Sequence, residues 1–490
     1  MKGSPKRLIL VANRLPIVLR REEREWKLRP SSGGLVTALA PILRDRGGSW
    51  IGWMGTSGFP EPEIDELLRK GSQRAGYDLR AVYLAPEEVE GHYYGFSNEI
   101  IWPLFHDLQS RCNFEPTYWK SYLEVNRRYS EVILKNATPS DYIWVHDYHL
   151  MNIARELRDM GIKSRIGFFL HIPFPAPDIY LKLPWRFEIL RALLSYDLIG
   201  FQTMRDRRNY LQCIRTLVEE TSIQGRGQVV KVRYEGREVR VGSFPISIDF
   251  DEFADLASMP EVADKARHIH ERLPNRQIVL GVDRLDYTKG IPYRLEAFRN
   301  LLIRHPELRR KITLIQIVVP SREKIPEYND LKREIERMVG EINGQFTRSD
   351  WVPIRYIYRT LERPNLLAYY RAAEIALITP LKDGMNLIAK EYCASNLEET
   401  GVLILSEFVG AAAQLQRGAL LVNPYDIEGV ADAIHRAFVM GGEERKSRMK
   451  KLRQSIRKQG ISWWVDSFLR AAFSKDLQDF PVLEEYIPRG

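Results

Sequence analysis

The sequence lacks most of the features that set a chain apart from ordinary soluble globular proteins. Its 490 residues hold only three cysteines, Cys112, Cys213 and Cys393. Odd in number and far apart, they exclude a disulfide framework and a cysteine zinc cluster, and they fit a reducing cytoplasm. No apolar run approaches the roughly 20 residues needed to cross a bilayer, so no membrane partner is expected. Lys2 to Arg7 followed by Leu8-Ile-Leu-Val-Ala12 has the charge order of a secretory leader. The apolar part stops at Asn13-Arg14, however, and no small-residue cleavage pattern follows directly, so the stretch reads as a first strand. There is also no low-complexity block and no cationic tail. The excess of 73 Lys+Arg over 64 Asp+Glu is spread along the chain, which suits anionic ligands. No zinc-finger, RNA-recognition or homeodomain signature accompanies it, so no nucleic-acid partner is expected.

Of two motifs of nucleotide chemistry, one is absent and the other is poorly placed. The loop Ser31-Ser32-Gly33-Gly34, which opens a helix over 35–43, does not have the GxGxxG spacing and is no dinucleotide fingerprint; its paired glycines still allow close backbone approach to a ligand. The single DxD, Asp249-Phe-Asp251, falls at a domain junction and reads as helix capping, which weakens the case for a metal-dependent transferase.

What the chain does have is repetition. Its length exceeds one core and implies two domains. Short apolar runs at 8–11, 50–53, 79–84, 142–145, 166–170 and 198–201 alternate with amphipathic segments, the pattern of parallel strands buried on both faces. Runs at 229–234 and 238–243 around Glu235-Gly236-Arg237 read as a hairpin with one wet face. The alternation restarts with 278–282, 312–319, 354–358, 375–378, 402–405 and 419–422. The fold class is therefore α/β, with two doubly wound Rossmann-like domains over 1–243 and 244–462, facing across a cleft and hinged near 244–251. An aromatic helix follows from Trp463-Trp464, with residues 463–490 packing back on the first domain. Ligands of such sheets bind at the carboxyl ends of strands, and the polar motifs fall there.

The most informative stretch is Thr379-Pro-Leu-Lys-Asp-Gly-Met-Asn-Leu-Ile-Ala-Lys-Glu-Tyr392. It reads as a strand end, a tight turn and a helix over 385–395 whose free amides can hold a diphosphate. Asp383 at the turn suits sugar hydroxyls, and Glu391, two helical turns on, suits a ribose. The plainer reading makes Asp383 an N-cap and Glu391 a solvated residue. Upstream, Gly281-Val-Asp-Arg284-Leu-Asp-Tyr-Thr-Lys289-Gly290 places two cations where charge would develop on a leaving diphosphate. Arg14 and Arg322 offer planar donor forks for phosphate, although a salt bridge explains an isolated Arg equally well. The aromatic group at His92-Tyr93-Tyr94 and Trp102-Pro103 reads as an irregular segment. Trp144-Val-His146-Asp147-Tyr148-His149 leaves two readings: a carboxylate near a reacting hydroxyl, or a metallohydrolase centred on His146, Asp147 and His149. His171, at the end of Phe169-Leu-His171-Ile-Pro173, also sits at a strand terminus.

In combination these strings resemble the trehalose-6-phosphate synthase family of retaining GT-B glycosyltransferases (family 20). The resemblance runs from Asn13-Arg14 to the Trp463-Trp464 helix, through His146-Asp-Tyr-His-Leu150, Gly167-Phe-Phe-Leu-His-Ile-Pro-Phe-Pro175, Asp283-Arg-Leu-Asp-Tyr-Thr-Lys-Gly290 and Pro380-Leu-Lys-Asp-Gly-Met-Asn-Leu387. It implies a nucleotide-glucose donor on the second domain: Arg284 and Lys289 on the diphosphate, Glu391 on the ribose, Asp383 with the amides of Met385, Asn386 and Leu387 on sugar and phosphates, Gly34 approaching closely, and His171 on the glucose. Acceptor glucose 6-phosphate is implied at Arg14, Tyr93, Trp102 and Arg322, with Asp147 on its hydroxyls. Arg284, Lys289, Asp147, His171 and Asp383 are the implied catalytic set, with no metal and no cofactor. Leu183-Pro-Trp-Arg186 is similar to the glucosylglycerol-phosphate synthases, whose acceptor is glycerol 3-phosphate. Donor base, acceptor and assembly into a homo-oligomer stay open from sequence, as does a silent sugar-phosphate sensor, which the intact cationic clamps disfavour.

Overall fold

The computed structural model describes residues 7–22, 25–30, 34–56, 61–322, 325–477, 480 and 483–488. The chain divides into two units: Met1–Pro245 with Trp464–Leu483, and Ile246–Trp463 with Glu484–Gly490.

In the first unit the apolar runs become one nine-stranded sheet. Its order is Asp78–Val82, Gly48–Trp53, Leu8–Arg14, Tyr142–His146, Arg165–Phe169, Leu198–Phe201, Arg237–Ser243, Val229–Tyr234 and Ser222–Gln224. Pairing is parallel as far as Arg237–Ser243 and antiparallel beyond it. The central strands are buried along nearly their whole length because helices cover both faces. The hairpin expected over 229–243 is this antiparallel edge, where alternating charges meet water. Chain order reverses between Leu8–Arg14 and Tyr142–His146, so the crevice of this sheet opens where Arg14 and Asp147 leave their strands.

The second unit repeats the plan with six parallel strands, ordered Ile354–Tyr358, Ile312–Val319, Gln277–Arg284, Ile375–Ile378, Val402–Ser406 and Leu420–Val422. Here the reversal lies between Gln277–Arg284 and Ile375–Ile378, with Val279 opposite Ile375. Arg284 and the 379–387 stretch emerge from these two strand ends.

The Ile461–Phe473 helix carries Trp464 and Phe468 onto the first sheet, with both side chains fully buried. Phe468 stacks on Trp144 at 4.4 Å between ring centroids. Gly200 makes room for this ring: a Cβ there would stand 2.7 Å from Phe468. Among the described residues no helix is long and apolar enough to cross a membrane.

Three local readings change. The aromatic segment is not irregular: Val89–Ile101 is a wide-wound helix, its turns closing five residues back as in Trp102 N–H to Ser97 C=O, and Trp102–Phe105 continues it as α-helix. No single period of apolar residues marks such winding. The helix of the second unit begins at Leu387 rather than at residue 385. A hairpin of Ile17–Glu22 and Glu25–Pro30 is added, which is rich in charge, and an edge strand Ser222–Gln224, which is three residues long with one apolar side chain; neither shows apolar alternation. Ser31, Ser32 and Gly33 lie outside the described residues; Gly34 is the first residue of the Gly34–Arg46 helix.

Candidate functional site

The second unit gathers its polar motif by tying two strand ends together. Leu381 N–H donates to Thr288 C=O at 2.8 Å, and Gly290, at φ 64°, lets the chain turn into the Ile291–Arg304 helix. A Cβ at Gly290 would lie 2.5 Å from Thr379 C=O, so only glycine admits this approach. The result is a salt bridge: Lys289 Nζ lies 2.6 Å from Asp383 Oδ2. Asn386 Nδ2 reaches the same oxygen at 3.3 Å. Asp383 is therefore not the helix N-cap. That place belongs to Asn386, whose Oδ1 accepts Ala389 N–H at 3.1 Å. Asn386 stands at φ 70° without being glycine, a strained conformation held by its neighbours. Ala389 N–H, in the first turn of the Leu387–Ser395 helix, is thus capped, and Met385 C=O accepts Ala411 N–H at 3.0 Å.

Arg284 ends its strand exposed. Two residues on, Asp286 is buried and accepts from Thr288 N–H and Oγ1–H at 2.9 and 2.8 Å. Burial pushes the Asp286 carboxyl up, but Arg322, Lys289 and Arg284 together hold it below its ordinary range. Arg322 Nη1 lies 3.6 Å from Asp286 and donates to the Tyr328 hydroxyl at 2.6 Å, and its backbone sits at φ 49°. Three cations thus surround one carboxylate at the switch point, a net positive field suited to a polyanion. Beneath them Arg294 is fully buried. It donates to Asp283 at 2.5 Å, to Thr379 Oγ1 at 3.1 Å and to Gln316 at 3.1 Å, pinning three neighbouring strands at the same level.

Glu391 is not a solvated helix residue. It accepts a hydrogen bond from the Tyr370 hydroxyl at 2.9 Å, and burial raises its pKa. Its neighbour Lys390 is buried too, donating to Ile246 C=O and Gln414 at 2.7 Å each; burial lowers its ammonium to about 7. Tyr370, Asp286 and Arg294 carry no signal of their own in the sequence. Asp286 lies inside the 283–290 string that carries the resemblance, whereas Tyr370 and Arg294 look like ordinary helix residues.

In the first unit Arg14 lies over the rings of Trp53 and Tyr93, at 4.9 and 5.3 Å from their centroids. Tyr93 stacks on His149, which in turn packs on Tyr148 at 3.9 Å. Trp102 is 5% exposed and packs against Tyr148 at 5.8 Å. The wide-wound helix is thus what brings Tyr93 and Trp102 to the end of the Tyr142–His146 strand. Asp147 stands at φ 75°, and its Oδ1 accepts the His171 N–H at 3.3 Å. His171 Nε2 meets His146 Nδ1 at 3.1 Å, and burial lowers His171 to about 3, so both rings are neutral.

The alternative metal centre does not form. His146 turns to His171 while His149 stacks between Tyr93 and Tyr148, because successive residues leaving a strand point apart. Among the described residues the His, Cys, Asp and Glu donors that gather within metal reach are elsewhere.

Two doubly wound α/β sheets, with Arg14 at the switch point of one and Arg284, Lys289 and Arg322 at that of the other, have the layout of a GT-B glycosyltransferase. The model of glycosyltransferase family 20 matches residues 6–473, and the chain belongs to that family. It is 43% identical to a trehalose-6-phosphate synthase of Mycolicibacterium smegmatis, over 98% of this chain and 95% of that one. Among solved structures it is similar to an α,α-trehalose-phosphate synthase (UDP-forming) from Burkholderia xenovorans in complex with glucose-6-phosphate. That match has a TM-score of 0.86 at 36% identity, covering 95% of this chain and 99% of that chain. A structure from E. coli bound with UDP-2-fluoro glucose matches with a TM-score of 0.85 at 35% identity, covering 95% and 98%.

Proposed function

We propose that this chain is a retaining glucosyltransferase that moves glucose from UDP-glucose to glucose 6-phosphate, giving α,α-trehalose 6-phosphate and UDP. The observation that carries the reading is the group of Arg284, Lys289 and Arg322 around Asp286, beside the start of the Leu387–Ser395 helix. Arg284 and Lys289 take the diphosphate, Glu391 the ribose, and Asp383 with the amides of Met385, Asn386 and Leu387 the glucose and phosphates. Gly34 admits the donor closely and neutral His171 contacts the sugar. Arg14, Tyr93, Trp102 and Arg322 hold the acceptor phosphate, and Asp147 its hydroxyls. The first unit accordingly carries most of the acceptor residues and the second most of the donor residues, with Arg322, Gly34 and His171 as the exceptions.

In the reaction the acceptor's anomeric hydroxyl oxygen bonds to C1 of the donor glucose on the face from which the C1–O bond to UDP breaks. The departing phosphate takes the hydroxyl proton. No carboxylate of the chain is needed as nucleophile. The growing negative charge on UDP falls among cations already in place, so the chain needs no metal and no other cofactor for this step. Supporting this, the one DxD is spent on structure: Asp249 caps the Phe250–Ser258 helix and Asp251 pairs with Arg457. The substrates are small molecules; a cytoplasmic setting fits them, and neither membrane nor nucleic acid has a part.

The glycerol 3-phosphate reading of the acceptor is separated by one assay. UDP-, GDP- and ADP-glucose are crossed with glucose 6-phosphate and glycerol 3-phosphate, and nucleotide release is followed. The proposal expects the highest kcat/KM for UDP-glucose with glucose 6-phosphate; preference for glycerol 3-phosphate overturns it.

A further inference from the structure

Away from these switch points, a second group of side chains is arranged for a different ligand. The Ile291–Arg304 helix ends at His305, whose N–H still closes on Leu301 C=O at 2.8 Å. The Pro306–Leu308 turn then swings Glu307 back, so that its Oε1 lies 3.1 Å from His305 Nδ1. His435 comes from the Ile427–Val439 helix packed alongside. Its ring stacks on that of His305, with centroids 4.0 Å apart and planes within 10°. One ligand atom from each of the three residues falls within 4.8 Å of the others.

We propose that His305, Glu307 and His435 form a binding site for one divalent transition-metal ion of the zinc or nickel type, clamping the end of the 291–304 helix to the 427–439 helix. Two imidazoles and one carboxylate are the donor set such ions take at about 2.0–2.2 Å, leaving a fourth position for water. Hard ions such as Mg²⁺ favour all-oxygen shells instead. Both rings are half-exposed and Glu307 is exposed, so each can turn about its side-chain bonds to aim its lone pair at a common point. The adjacent cations are already matched: Arg304 pairs with Asp432 at 2.9 Å and Arg436 with Glu444 at 3.6 Å. The site terminates a helix of 14 residues whose other end follows Lys289 and Gly290. At 1.5 Å per residue that separation is about 20 Å, too far for the ion to touch the diphosphate.

The test uses the full untagged chain, stripped with EDTA and titrated calorimetrically with ZnCl₂, NiCl₂ and MgCl₂, alongside thermal melts. One equivalent of Zn²⁺ or Ni²⁺ is expected to bind and raise Tm, with Mg²⁺ inert. His435→Ala and Glu307→Gln should each weaken that binding at least tenfold and abolish the rise in Tm, while the metal-free Tm and the turnover of His435→Ala stay those of the wild type. Zinc binding of equal affinity in both variants overturns the site, as does absence of a saturable equivalent in the wild type. Should His435→Ala unfold, Glu307→Gln alone decides, since its side chain is exposed and isosteric.

Discussion

Lys289 Nζ and Asp383 Oδ2, 2.6 Å apart, join the ends of two adjacent strands from opposite sides of the second sheet's switch point. The pair does two things. Under the proposed function it positions the ammonium for the diphosphate, and it keeps the Asp383 carboxylate from standing uncompensated. Lys289→Ala removes the charge that strengthens as UDP departs and is expected to lower kcat by about 10²–10³-fold at saturating substrates. A variant that changes only KM would show that Lys289 binds the ground state and the transition state equally.

In the proposed reaction Arg14 serves the other substrate. It is held over Trp53 and Tyr93, and a charged hydrogen bond to phosphate contributes about 1.5–3 kcal/mol. Arg14→Ala and Arg322→Ala should each raise the KM for glucose 6-phosphate by roughly 10–100-fold, with a smaller effect on kcat. Initial rates over a range of acceptor concentrations check this. Should Arg322→Ala instead behave like Lys289→Ala, Arg322 belongs with the donor cations that it already adjoins around Asp286.

With the proposed ribose contact, Glu391 couples stability to binding. Burial raises its carboxyl pKa in the folded chain, so the native state holds the proton more tightly than the unfolded one. The cost of ionising it is absent below the unfolded value and grows as pH rises from there through the folded value. At neutral pH Glu391→Gln removes that cost while keeping a partner for Tyr370. Urea unfolding should therefore show the variant at least as stable as wild type, whereas the KM for UDP-glucose rises about tenfold or more. Loss of stability with donor KM unchanged would show a structural role only.

Acid sensitivity follows from the histidines. His92 is fully buried and lowered to about 3 by burial, His171 is also lowered to about 3, and His146 is lowered by burial and by facing His171. Each is neutral when folded and takes up a proton on unfolding near pH 6.5. Their contribution is fully present above that value and is lost as pH falls from about 6.5 toward 3. His92 alone accounts for about 1.4 kcal/mol per pH unit within that window. Urea midpoints at pH 7, 6 and 5 should decline, and His92→Gln should flatten the decline. A midpoint constant from pH 7 to 5 would contradict the burial argument.

The parallel sheets were legible because strands buried on both faces must be short and apolar, and 198–201, 312–319 and 375–378 coincide with observed strands. The cations were legible too, because they follow strand ends directly. What stayed hidden depends on tertiary structure. The wide helix around Tyr93 is set by packing on Tyr122 and Trp119, not by a local period. Asp383 reads locally as a cap, whereas its carboxylate pairs with Lys289, 94 residues away. Glu391 looks solvated until Tyr370 is seen against it. The His305, Glu307 and His435 group was invisible for the same reason, as its members meet only when two helices pack.

The central claim is that side chains and amides of this chain stabilise the departing nucleotide without an ion. It is tested most directly by the rate of α,α-trehalose 6-phosphate formation from UDP-glucose and glucose 6-phosphate in excess EDTA. Undiminished turnover by the wild type, with Lys289→Ala reduced at least 10²-fold in the same buffer, is the predicted result. Turnover that vanishes in EDTA and returns with Mg²⁺ or Mn²⁺ would contradict it.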